Sequence, residues 1–142
     1  MTIARLIEGR DAAIVTCTTD MLVREAVALL AERRIGAMPV LENGKVAGIF
    51  SERDVIYQLQ AQGPAMLEAR LGDVMTSPAV TVEPDTAVLA ALSLMTRRRI
   101  RHLPVVQGTE MVGLVSIGDL VKYRIERIES EAEAMRAYIQ TA

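Results

Sequence analysis

The chain repeats itself. Moved forward by 65 positions, residues 14–56 fall on residues 79–121 without a gap, and fourteen of the 43 aligned positions are identical. Ordinary composition gives roughly 6–7% by chance. The matches also keep their order. Val15, Thr16, Asp20, Val23, Ala26 and Leu29 return as Val80, Thr81, Asp85, Val88, Ala91 and Leu94. Arg33-Arg34-Ile35, Pro39-Val40, Gly48, Ser51 and Asp54 return as Arg98-Arg99-Ile100, Pro104-Val105, Gly113, Ser116 and Asp119. Such a chain folds as two copies of one unit, each too small and open-faced to bury its sheet alone.

Each copy reads as β-α-β-β-α. In the first, Ile14–Cys17 is a brief strand, and Asp20 caps a helix with apolar face Leu22/Val23, Ala26 and Leu29/Leu30. Ala37–Leu41 and Lys45–Phe50 flank Glu42-Asn43-Gly44, and Asn-Gly between apolar runs marks a hairpin. From Ser51 a helix runs to about Gln62, where Gly63-Pro64 stops it. The second copy offers the strand Ala79–Val82, a helix opened by Pro84-Asp85, a hairpin of His102–Val106 and Glu110–Val115, and a helix from about Ser116. The expected fold is therefore α/β (α+β): two repeats packed about a pseudo-twofold axis. Residues 1–63 form the first repeat (core about 11–62), 64–75 a connector and lead-in, 76–124 the second repeat, and 125–142 a helical extension. Residues 2–10, with Ile3, Leu6 and Ile7 at helical spacing, form a short leading turn.

The extension carries its own pattern. Val121, Ile125, Ile128, Ala132, Met135 and Ile139 are spaced 4, 3, 4, 3, 4, an a/d seam flanked by Lys122, Arg124, Glu126, Arg127, Glu129 and Glu133. Either this helix lies back on its own domain or it pairs with another subunit.

Bulk properties narrow the function. A 51% hydrophobic, 24% charged chain is globular rather than disordered. A net charge of -2 gives no overall attraction to nucleic acid or acidic membranes. Residues 1–8 lack the apolar stretch of a signal peptide, and no apolar run has membrane-spanning length. The single cysteine, Cys17, excludes an internal disulfide and suits a reducing cytoplasm, where it is expected as an inert buried thiol.

Gly-x-x-Ser-x-x-Asp occurs twice, as Gly48-Ser51-Asp54 and Gly113-Ser116-Asp119. Ser followed at the third position by Asp starts a helix as a relative of the capping box. The same elements also suit an anion pocket: a glycine at which a ligand can approach the backbone, free N–H groups at a helix start, and a carboxylate for ribose hydroxyls. The basic run Arg97–His102 sits where a helix C-terminus favours cations; without interleaved aromatics it does not suggest nucleic acid. His102 is the only histidine and has no cysteine partner, so no metal site is expected. Nothing forms an activated nucleophile or a paired acid and base, and the chain reads as non-catalytic.

Ile-Arg-His-Leu-Pro-Val-Val, a hairpin, then Gly-Leu-Val-Ser-Ile-Gly-Asp-Leu resembles a cystathionine β-synthase (CBS) domain. The likeness covers roughly residues 3–125, twice in the same order, and Leu71-Gly72-Asp73-Val74-Met75 with Thr76-Ser77-Pro78 match the usual lead-in. The tandem form, a stand-alone Bateman module, implies clefts between the repeats for adenosyl ligands: AMP foremost, then ADP, ATP, S-adenosylmethionine or NAD, with no catalytic cofactor. It also implies a homodimer and a regulated partner protein, in the cytoplasm and off the membrane.

By that resemblance the preferred site, assigned to the second repeat, comprises Thr76, Pro78, Ala79, Val80, Arg101, His102, Leu103, Pro104, Ser116 and Asp119. Its counterpart in the first comprises Ala13, Ile14, Gly36, Ala37, Met38, Pro39, Ser51, Arg53 and Asp54. Asp54 and Asp119 would hold ribose, Ser51 and Ser116 ribose or phosphate, and the backbone at Ala13-Ile14 and Ala79-Val80 the adenine edge. Arg101-His102 match phosphate-contacting positions, whereas Gly36-Ala37 supply no charge there. The first site is thereby expected to be the poorer one for phosphate.

Overall fold

A computed structural model describes residues 1–10 and 13–141. The expected edge of the first repeat's core at residue 11 and the last residue of the extension lie outside the described residues. The elements are α1 (Ile3–Ile7), β1 (Cys17–Thr18), α2 (Val23–Arg33), β2 (Ala37–Glu42), β3 (Lys45–Ser51) and α3 (Glu52–Gln62). A 3-10 segment, Gly63–Glu68, leads to α4 (Leu71–Val74), α5 (Val88–Arg98), β4 (His102–Gln107), β5 (Glu110–Ser116) and α6 (Ile117–Thr141).

The duplication is visible in the hydrogen bonding. β2 and β3 pair antiparallel from Ala37↔Ser51 to Glu42↔Lys45, with a register shift at Val40/Leu41. β4 and β5 pair from His102↔Ser116 to Gln107↔Glu110, with the shift at Val105/Val106. Asn43 (φ 53) and Gly44 (φ 79) both take left-handed conformations, as a tight hairpin turn requires. Arg34 and Arg99, also left-handed, end α2 and α5. Two apolar clusters follow the same register. Val23, Ala26, Leu30, Met38, Val40 and Phe50 in one correspond to Val88, Ala91, Met95, Leu103, Val105 and Val115 in the other. β3 and β5, equivalent elements, lie against each other where the repeats meet, as a twofold relation demands.

The lead-in segments are exchanged between repeats. Ile3 of α1 is wholly buried in the second repeat's cluster, whereas Leu71 and Val74 of α4 belong to the first. Val23 N–H donates to Ala69 C=O at 2.9 Å, and Val88 N–H to Met1 C=O at 3.1 Å, so α2 and α5 are each capped by the other repeat's lead-in backbone. This overturns the expected caps. α2 starts at Val23 without a side-chain cap, and Asp20 instead accepts from Thr18 Oγ1 at 2.5 Å; α5 starts at Val88, three residues after Asp85. The first strands are shorter than expected for the same reason. Only Cys17–Thr18 pairs with β2, and only Val82 bridges Val105, because the residues before them are crossing from one repeat to the other.

Candidate functional site

The crossings build two clefts. Residues 75–80 pass over the edge of β3, where Ile49 and Thr76 exchange backbone hydrogen bonds at 2.9 Å each. A Cβ on Gly48 would lie 2.6 Å from Thr76 O and 2.7 Å from Met75 Sδ. On Gly113 it would lie 2.9 Å from Ile7 Cδ1. The glycine of each Gly-x-x-Ser-x-x-Asp motif thus admits the neighbouring segment of this chain, a closer constraint than ligand approach.

The Ser and Asp of each motif form a helix cap. Ser51 N–H donates to Asp54 Oδ2 at 2.9 Å and Asp54 N–H to Ser51 Oγ at 3.3 Å. Ser116 and Asp119 repeat this at 2.8 and 3.2 Å. Each capped turn also faces a cleft, so cap and candidate site coincide.

One cleft, about 200 Å³, is lined by Ser51, Arg53, Asp54 and Tyr57 together with Ile49, Thr76, Pro78, Val80, Ile100, Arg101 and His102. The other, about 560 Å³, is lined by Ser116 and Asp119 with Ile7, Arg10, Ala13, Ile14, Val15, Arg34, Ile35, Val112, Gly113 and Leu114. Gly36, Ala37 and His102 stand between them and line both. This regroups the expected residues. Thr76, Pro78, Val80 and Arg101 lie with Asp54, not Asp119; Ala13 and Ile14 lie with Asp119, not Asp54. The crossing segments carry Thr76, Pro78 and Val80, and likewise Ala13 and Ile14, to the motif of the other repeat, whereas Arg101 reaches the Asp54 cleft from the turn between α5 and β4, where it pairs with Glu52. Met38, Pro39, Leu103 and Pro104 are buried in the hairpins and line neither cleft, nor does Ala79.

Each cleft has two guanidiniums and one carboxylate from a motif. Beside Asp54, Arg53 donates to Arg99 C=O at 2.8 Å and Arg101 to Glu52 at 2.9 Å. Thr76 Oγ1 donates to Asp54 Oδ1 at 2.8 Å. Beside Asp119, Arg10 pairs with the carboxylate at 3.2 Å and donates to Leu114 C=O at 3.0 Å; Arg34 is the second cation. Burial, and then the charge of Arg101, push the His102 pKa below its ordinary value against the opposing pull of Asp119 and Glu52. The imidazole is therefore neutral at neutral pH and able both to donate and to accept. Arg10, Arg34 and Tyr57 were not identified from the sequence. Tyr57 had a signal, since it follows Asp54 by three positions on one helix face; Arg10 comes from a distant segment and had none.

The family pattern of the CBS domain matches residues 10–61 and again 71–126. The chain belongs to the CBS domain family. This CBS pair is 39% identical over 138 residues to the mitochondrial CBS domain-containing protein CBSX3 of Arabidopsis thaliana, covering 94% of this chain and 67% of that protein. A protein with CBS domains from Burkholderia ambifaria MC40-6 has a similar structure, with a TM-score of 0.82 and 36% identity over 89% of this chain and 95% of that one. Two more distant structures share the fold and contain adenosyl compounds. CBSX2 in complex with AMP has a TM-score of 0.75 and 23% identity, covering 88% of this chain and 96% of its own. The CBS domain pair of MJ0100, in complex with 5-methylthioadenosine and S-adenosyl-L-methionine, has a TM-score of 0.76 and 22% identity, covering 89% and 98%. Among the described residues no helix of this CBS pair is long and apolar enough to cross a membrane, and no three His, Cys, Asp or Glu side chains gather as a metal site.

Proposed function

We propose that this CBS pair is a non-catalytic regulatory module that binds an adenosine-containing ligand, AMP foremost, in the clefts at Asp54 and Asp119. One observation carries the reading: both Ser-x-x-Asp turns open into clefts that combine an apolar wall, a carboxylate and two arginines. Those are the partners that adenine, ribose and a 5′-phosphate each need. The AMP complex of CBSX2 supports it. Phosphate is assigned to the Asp54 cleft, because Arg101, His102 and Thr76 converge there with Arg53. The roomier Asp119 cleft suits the same nucleoside with a longer 5′ substituent, such as ADP, ATP, NAD or S-adenosylmethionine. Occupancy would pass to a partner protein or across a dimer, in the cytoplasm.

Calorimetry with AMP tests the assignment. Asp54→Asn and Arg101→Ala should each weaken AMP binding by roughly tenfold, and Arg101→Ala should barely change adenosine binding. Asp119→Asn should cost less for AMP. A second reading rests on the caps being complete without any ligand: the motifs serve only as helix starts in a structural protein. Absence of heat with AMP, ADP, ATP, NAD and S-adenosylmethionine at millimolar concentration would establish that second reading.

A further inference from the structure

The far part of α6 carries an apolar face that its own chain leaves uncovered. Ile117, Leu120 and Tyr123 turn toward the second repeat's core. At about 100° per residue, the seam from Val121 to Ile139 lies roughly 100° around the helix from that face. Ile125 is 51% exposed, Ile128 49%, Met135 59% and Ile139 65%. The helix therefore does not lie back on its own domain beyond Tyr123.

We propose that this seam is covered by the same helix of a second copy, parallel and in register, as a short two-stranded coiled coil. The flanking charges decide both occupant and direction. With Ile125, Ala132 and Ile139 at a, and Val121, Ile128 and Met135 at d, the e positions are Lys122, Glu129 and Arg136, and the g positions Arg124, Glu131 and Tyr138. A parallel pair sets each g residue against the following e residue of the other copy. Arg124 then meets Glu129 and Glu131 meets Arg136, each twice by symmetry. The fully overlapped antiparallel pair sets e against e and g against g. Lys122 would face Arg136, and Glu129 and Glu131 would each face its own counterpart, so every charged contact is repulsive. A flanking pattern that fits itself in only one direction identifies another copy of this chain as the partner.

Sedimentation of the full chain and its variants tests this. E131K and R136E should each weaken the dimer by about tenfold, since two attractive pairs become repulsive. E131K also breaks the bond from Arg127 to Glu131 within the helix, which R136E spares, so agreement between the two isolates the contact between copies. Mixing the two variants, or combining them in one chain, should restore association. Direction is read separately: with Cys17 buried, I128C supplies the one accessible thiol, and mild oxidation should link two copies through it. S130C, on the outer face, should not cross-link. A chain that stays monomeric at high concentration overturns the proposal. So does a dimer indifferent to both charge reversals, a combined variant that stays weakened, or cross-linking by S130C as readily as by I128C.

Discussion

Thr76 Oγ1 donates to Asp54 Oδ1 at 2.8 Å across 22 positions of sequence. The bond joins the segment that leaves the first repeat to the helix cap that the first repeat provides. Thr76, Pro78 and Val80 therefore belong with the motif of the first repeat in space although they precede that of the second in sequence, because the crossing segment carries them there.

If this bond helps hold the crossing in place, Thr76→Val and Asp54→Ala should be coupled. A double-mutant cycle by urea unfolding should give a favourable interaction of about 0.5–1.5 kcal/mol. Strict additivity of the two substitutions would show that the contact contributes nothing in solution.

The two motif glycines should differ in their tolerance of alanine. At Gly48 the added methyl meets a backbone carbonyl at 2.6 Å, and Thr76 is held there by two hydrogen bonds of its own. At Gly113 it meets only the Ile7 side chain, Cδ1 at 2.9 Å and Cγ2 at 3.2 Å; the first can rotate away and the second needs to give by a few tenths of an ångström. Gly48→Ala should cost about 2–3 kcal/mol and Gly113→Ala about 1 kcal/mol or less. Equal costs in denaturant unfolding would contradict this account of the crossings.

Much of this architecture was legible because duplication prints local structure twice. Asn43-Gly44, Gly63-Pro64 and the Ser-x-x-Asp pairs carry their geometry in adjacent residues, and the hairpins and α3 follow them closely. The caps of α2 and α5 were not legible. Asp20 and Asp85 are good capping residues by type, yet the N–H groups at those helix starts are satisfied by Ala69 and Met1, which only the folded chain brings there. The site divides in the same way. Ser51, Asp54, Ser116 and Asp119 are legible from a motif, whereas the grouping of Ala13 and Thr76, and the presence of Arg10, depend on the exchange of lead-in segments, and that of Arg101 on the turn before β4 meeting Glu52 of the other repeat. No spacing rule within one repeat encodes that exchange.

His102 gives the fold a pH dependence of known sign. Its folded pKa lies below its ordinary value of 6.5, chiefly through burial. Between the folded and unfolded values the unfolded chain holds more protons, so stability rises with pH across that window. The contribution is complete above 6.5 and is lost as pH falls through the folded value. His102→Gln should flatten this part of the curve, measured by urea midpoints. An identical pH dependence in the variant would show that His102 is not the group responsible.

Arg10 sets the last prediction, which rests on the adenosine-binding reading. Its guanidinium lies 3.2 Å from Asp119, the carboxylate assigned to ribose. A ribose hydroxyl must take that place, and Arg10 then turns toward the 5′ substituent. For adenosine, which has no charge there, losing the ion pair is a pure cost; for AMP the phosphate replaces the lost partner. Arg10→Ala should therefore hold or raise adenosine affinity while lowering AMP affinity. The AMP-to-adenosine affinity ratio should fall by about tenfold, the worth of one charge-assisted bond. The measurement belongs in an Asp54→Asn background, so that the Asp119 cleft dominates the signal. An unchanged ratio, with both ligands still bound, would leave Arg10 as a structural ion pair that no ligand displaces.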